Sequence, residues 1–152
     1  MHNVKCGLPA GRTNLAIQHE ARYKPPHPLA GTDQETITDF DLVDQVGDEF
    51  WFIEDKLETM GGKASTVARG LRENLSKYEK AILAHFDGHV DMPPRVNLNG
   101  LSMYGDNAKI RFGGRIKHAD ALKPEFQEEV MRQVIEWEKR HNIKVSIEFI
   151  TP

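Results

Sequence analysis

One cysteine, Cys6, stands among 152 residues. No disulfide framework can form, and cysteine usage leaves the compartment open. No apolar run reaches the ~20 residues of a membrane-spanning helix, and the N-terminus lacks the apolar core of a signal peptide. A soluble chain with no membrane partner is expected, and export would need a larger carrier. Neither sign of charge is in large excess: 20 Lys and Arg against 23 Asp and Glu give a net charge of −3. That argues against a protein living by non-specific electrostatic grip on nucleic acid, though local charge and a metal ion can still hold one phosphate. The seven histidines include no His-Glu-x-x-His and no Cys/His cluster, so a zinc site is not expected. There is no phosphate-loop signature, no nucleophile motif, no internal repeat and no low-complexity segment.

What is there centres on one stretch, Thr36 to Val46, then Gly47-Asp48, then Glu49 to Lys56. Two β-prone runs around Gly-Asp predict a hairpin, and Gly at the first loop position suits a type II′ turn. The run Phe50–Ile53 is bulky and apolar, as in a strand buried on both faces. With Gly47 and Asp48 as the loop, Val46 faces Glu49, Val43 faces Phe52, Leu42 faces Ile53 and Asp41 faces Glu54. Side chains alternate along a strand and paired residues share a face. Asp41, Glu54 and Lys56 therefore converge, with Asp39 opposite Lys56. Two close carboxylates repel unless a cation or proton offsets them. Oxygen donors so arranged suit Mg²⁺, with waters and phosphate oxygens completing the shell; Mn²⁺ could substitute.

An Asp on one strand followed by Glu-x-Lys at the end of the next resembles the PD-(D/E)xK nuclease superfamily, the restriction-endonuclease fold. The matching residues are Asp41, Glu54 and Lys56; Phe40 stands where the family has Pro. The resemblance covers the middle third of the chain and implies a metal-dependent nuclease, with DNA ahead of RNA as substrate. Asp41 and Glu54 would hold the metal, and Lys56 would orient water or stabilise the charge building on phosphorus. It also implies an added metal or water ligand on a helix before the sheet. Glu20 is the candidate, with Gln18 and Glu35 as rivals. A helix after the Glu-x-Lys strand would flank the site, bringing Lys63, Arg69 and Arg72 near substrate phosphates. The compact size and final strand are similar to the nuclease domains of bacterial polymorphic toxins. That likeness implies a cognate immunity protein and delivery, as part of a larger secreted protein, into the cytoplasm of a target cell.

The remaining elements follow from periodicity. Residues 1–152 make a single nuclease-like domain, long enough to bury ~68–70% of its unfolded surface, with Met1–Pro9 as a loose arm. Ala10–Tyr23 is predicted to be a short helix from Leu15, Ala16, His19 and Arg22. Gly61-Gly62 marks a loop. A helix capped by Ser65 or Thr66 runs to Phe86 on Val67, Leu71, Leu75, Tyr78 and Ile82, and stops at Gly88. His89–Asn107 reads as a long loop with Arg95 and Tyr104 as possible contacts, or as an edge strand at Val96–Leu98. Ala108–Phe112 is a strand ended by Gly113-Gly114. Pro124 opens a helix with Phe126, Val130, Val134 and Trp137 inward, closed by Asn142. Lys144–Ile150 alternates as a final strand. The order predicts an α/β fold, a mixed central sheet flanked by helices on both faces, restriction-endonuclease-like. The competing reading is a non-catalytic binding protein, an immunity protein or adaptor, on a degenerate nuclease fold.

Overall fold

The computed structural model describes residues 7–57 and 62–152, with Leu57 described in its backbone only. Its elements are β1 (Thr13–Arg22), β2 (Thr36–Val46), β3 (Glu49–Leu57), α1 (Ala64–Phe86), β4 (Ile110–Lys117), α2 (Pro124–His141) and β5 (Val145–Ile150). They form an α/β fold on one mixed five-stranded sheet, ordered β1-β2-β3-β4-β5. β1, β2 and β3 pair antiparallel, whereas β3, β4 and β5 run parallel. Parallel neighbours need crossovers, and α1 and α2 supply them. Both crossovers step the same way across the sheet, so their shared handedness lays both helices on one face. There they pack on each other, with Arg72 of α1 donating to Gln133 of α2 and Trp137 donating to Ser76. Among the described residues no helix is long and apolar enough to cross a membrane.

The hairpin has the predicted register. Val46 pairs with Glu49, Gln45 with Phe50, Val43 with Phe52 and Leu42 with Ile53. Gly47 takes φ 57 and Asp48 keeps a negative φ, as a II′ turn requires. Phe50 to Ile53 are all buried. Phe40, Phe52 and Phe112 face the helices and surround Tyr78 of α1, with ring centroids 4.9–6.1 Å apart.

Some expectations need correcting. Ala10–Tyr23 is not a helix; its body is strand β1. Bulges at Asn14/Ala16 and Ala21/Arg22, with Gln18 at φ 51, interrupt its alternation and mimic a helical period. The helix meant for the sheet's second face is therefore absent among the described residues. Gly113 and Gly114 do not end β4, which runs through them to Lys117. A Cβ on Gly114 would sit 3.0 Å from Leu71 and Ile147, so the missing side chain is what lets α1 approach. α1 begins at Ala64 with Lys63 as its N-cap, and neither Ser65 nor Thr66 caps it. Of the two readings of His89–Asn107 the loop holds: residues 96–98 form no strand, and Val96 and Leu98 of this loop are buried in the core. α2 starts at Pro124 and ends on left-handed Asn142, as the sequence predicts.

The opposite face carries a polar layer instead of a helix. Asn14 and Arg12 both bond Asp44, Arg111 lies over the Trp51 ring, and Arg115 sits between Asp55 and Glu148. Leu8 packs over Gly113, and the Gly7 N–H donates to the Ile147 carbonyl. The loose arm expected over Met1–Pro9 is thus anchored at Gly7 and Leu8. Its first six positions, like Gly61 of the expected loop, lie outside the described residues.

Candidate active site

The β2–β3 ladder ends at Leu42–Ile53, and the candidate site lies just past that end. The Asp41 N–H donates to the Tyr78 hydroxyl of α1 (3.0 Å). The Asp41 carboxylate in turn accepts the Asp55 N–H (2.8 Å). A side chain thus replaces a ladder carbonyl on each strand. Backbone groups must find partners somewhere, and here their partners are the groups that build the site.

Glu54 is buried at 6% exposure. The Tyr78 hydroxyl donates its one proton to Glu54 Oε1 (2.8 Å), the shorter option against 3.3 Å to the Ile53 carbonyl. Asn74 Nδ2 donates to Oε2 (2.6 Å), and the Lys56 ammonium stands 3.5 Å from the same oxygen. Burial pushes the Glu54 carboxyl above the usual range, and repulsion and close contact from Asp41 add to the rise. The Tyr78 bond and the Lys56 charge oppose it. The Tyr78 phenol is itself raised by burial and by the neighbouring carboxylates.

Two carboxylates and one ammonium leave the cluster negative when both acids ionise. Asn74 and Tyr78 contribute dipoles without charge, so the pair relieves itself by keeping a proton. A divalent cation would do the same. The donor set fits a hard cation such as Mg²⁺, since every available ligand atom is oxygen. Among the described residues no third His, Cys, Asp or Glu joins them to make a cluster of three. A cation here would complete its shell with waters and substrate oxygens.

The structure brings Asp41 and Lys56 each beside Glu54, at the end of the β2–β3 ladder. It does not bring Glu20 to them. Glu20 is on strand β1, opposite Asp39, accepting from Thr36 and pairing with Arg22 at 3.2 Å. Of its rivals, Gln18 is exposed, and Glu35 accepts the Gly31 N–H and faces Arg22. Asp39 pairs with β1 instead of standing opposite Lys56. The expected basic patch divides. Lys63 is exposed at the N-cap of α1, Arg69 is exposed beside Glu73, and Arg72 turns away to Gln133 of α2. Elsewhere, Arg95 reaches the Asn14 carbonyl, Tyr104 donates to Glu79, Lys109 pairs with Asp48, and Arg111 covers Trp51 on the other face.

Asn74 and Tyr78 were missed by the sequence reading, which treated Tyr78 as core alone. Their spacing held the signal. Gly70, Asn74 and Tyr78 follow at four-residue steps on one side of α1, and a Cβ on Gly70 would lie 3.4 Å from the Lys56 ammonium. A helix glycine, an amide and a phenol in line above a Glu-x-Lys strand mark the side that meets those charges. No protein-family model, curated protein or solved structure matches this chain, so the chemistry of the site has to be read from its own geometry.

Proposed function

We propose that the protein is a divalent-metal-dependent nuclease that hydrolyses phosphodiester bonds, DNA ahead of RNA, on a restriction-endonuclease-like variant of the α/β fold. One observation carries the reading: a buried Glu54 and a half-buried Asp41 that repel each other, with a lysine 3.5 Å from Glu54, at the point where two strands part. Such a pair raises the energy of the bare protein and is useful where a cation or a proton must be handled. Asp41 and Glu54 would hold Mg²⁺ or Mn²⁺, which when bound polarises a phosphoryl oxygen and lowers the pKa of a ligated water. The chain's own groups do the rest. The Asp55 N–H fixes the Asp41 carboxylate, and Asn74 and Tyr78 fix Glu54. Lys56 offers positive charge to the oxygens of the reacting phosphate.

The test is incubation with plasmid DNA and with total tRNA, in Mg²⁺ or Mn²⁺ and in EDTA. Metal-dependent nicking or RNA cleavage that Glu54→Ala abolishes supports the reading. A second reading, a non-catalytic binding protein, draws on the fact that both Glu54 oxygens already have hydrogen-bond partners. It requires no cleavage and no gain in melting temperature with metal, whereas a metal-binding site gains stability by mass action.

A further inference from the structure

We propose that one flank of α1, the stripe Lys63–Gly70–Lys77, is the surface along which the DNA backbone lies, with Gly70 as the gap through which a phosphate meets Lys56. The proposal rests on the nuclease reading and names its substrate track. Seven residues make nearly two helical turns, so these positions stack on one side at intervals of about 10 Å. The flank is fixed by its contacts. Arg72, Ser76 and Glu79 face α2 through Gln133, Trp137 and His141. Gly70 and Asn74 turn the other way, to Lys56 and Glu54. The stripe therefore borders the place where β2 leaves β3. Lys63 and Lys77 are exposed and form no ion pair among the described residues.

Glycine in the middle of a 23-residue helix weakens it relative to alanine. No backbone need accounts for it, since Gly70 has no positive φ. Its effect is to leave the Lys56 ammonium uncovered: a Cβ there would touch Nζ at 3.4 Å and Cε at 3.5 Å. The opposite lip repels a polyanion. Asp39 is exposed there with no ion pair among the described residues, while Glu20, opposite it on β1, is offset by Arg22. A phosphate chain entering the site is thus steered onto α1, where lysines stand on either side of the gap. Arg69 and Arg72, by helical phase, lie off this stripe.

The test measures binding of a short fluorescent DNA duplex to the full chain in EDTA, across a salt series, alongside plasmid cleavage in Mg²⁺. The double variant Lys63→Glu/Lys77→Glu is expected to bind more weakly and to lose about one unit of salt slope per lysine. Lys139→Glu, an exposed charge on α2, should leave the slope unchanged. Gly70→Leu should keep the slope and lose cleavage. Gly70→Ala, a contact the fold can take, should melt no lower than the parent and cleave more slowly. If the parent cuts DNA but the double variant keeps the parental slope, or Lys139→Glu loses as much, the stripe is wrong and the nuclease reading stands. Full cleavage by both Gly70 variants would likewise overturn the gap. A parent that neither binds nor cuts in any metal overturns the nuclease reading itself, and the stripe with it.

Discussion

Glu54 and Asp55 are neighbours on β3, so they point to opposite faces of the sheet, and burial raises the pKa of both. What differs is the next influence. For Asp55 it is Arg115, which lowers the value; Asp41 and Glu148 then raise it, and Lys117 lowers it again. For Glu54 it is Asp41, which raises the value further. Arg115 stands 3.5 Å from Asp55 and 3.4 Å from Glu148, one cation between two acids. Lys56 stands 3.5 Å from Glu54, whose other partners are an amide and a phenol. One strand thus carries two acidic clusters, one offset by the chain's own cations and one left short of positive charge. Burial alone does not distinguish the two carboxylates; the charge that surrounds each does.

The largest expected effect breaks the contrast on the Glu54 side. Glu54→Ala or Lys56→Ala should lower metal-dependent cleavage by roughly 100- to 1,000-fold or more, the scale of losing one charge-stabilising group. Their melting temperatures should stay close to the parent's. Plasmid nicking and thermal melts on the same preparations decide it. If both variants melt several degrees lower and the parent shows no metal-dependent cleavage, the two clusters are alike and both are structural.

The reverse break acts on the Asp55 side. Arg115→Leu strands two carboxylates. A broken buried ion pair costs about 3–5 kcal/mol, and the 30% exposure of the Arg115 side chain reduces this to about 2 kcal/mol. For a domain of this size that is a drop of about 4–8 °C in melting temperature. Cleavage per folded molecule should be kept. Lost cleavage at an unchanged melting temperature would mean that Arg115 serves the chemistry, and the division between faces would fail.

Tyr78→Phe tests how the helix-face cluster is held. The change removes the acceptor for the Asp41 N–H and one donor to Glu54. A buried group left unsatisfied costs about 1–3 kcal/mol, so the protein should melt a few degrees lower and require more Mg²⁺ for half-maximal cleavage. An unchanged metal requirement would leave Tyr78 as a core residue and nothing more.

Much of this arrangement was legible in the sequence. The hairpin's turn chemistry and period-two pattern fix a register that brings Asp41 and Lys56 beside Glu54, because a slip of one residue would bury the charges of the wrong face. The helices from residue 64 and from Pro124 show in their stripes and stops. β1 did not show, because its bulges and the positive φ at Gln18 destroy the alternation that identifies a strand. Gly113 and Gly114 read as a stop, though they serve close packing inside β4. The parting of β2 from β3 was equally hidden. It depends on a phenol from a helix 37 residues further along the chain, and local propensity carries no trace of such a contact.

The smallest effect is the sharpest probe of the contrast. Glu54's carboxyl is raised in the folded protein, so between its unfolded and folded pKa values the folded state binds more protons than the unfolded one. Stability therefore falls as pH rises through that window. Asp55 and Glu138 are also raised by burial and push the same way, so the parent's slope alone does not isolate Glu54. The difference between Glu54→Gln and the parent does. Glutamine keeps the shape and can still accept from Tyr78 or Asn74, without charge. Near pH 4, where the ordinary glutamate is mostly protonated, the two metal-free proteins should differ only by that exchange of group. The gap should then widen with pH in favour of Glu54→Gln, reaching a few degrees at neutral pH. Adding Mg²⁺ should close it by raising the parent alone, since the cation binds the ionised pair that glutamine lacks. A gap that stays flat with pH, or that favours the parent without metal, would mean that Lys56 already offsets Glu54 as Arg115 offsets Asp55, and the shortfall of positive charge at this site would not exist.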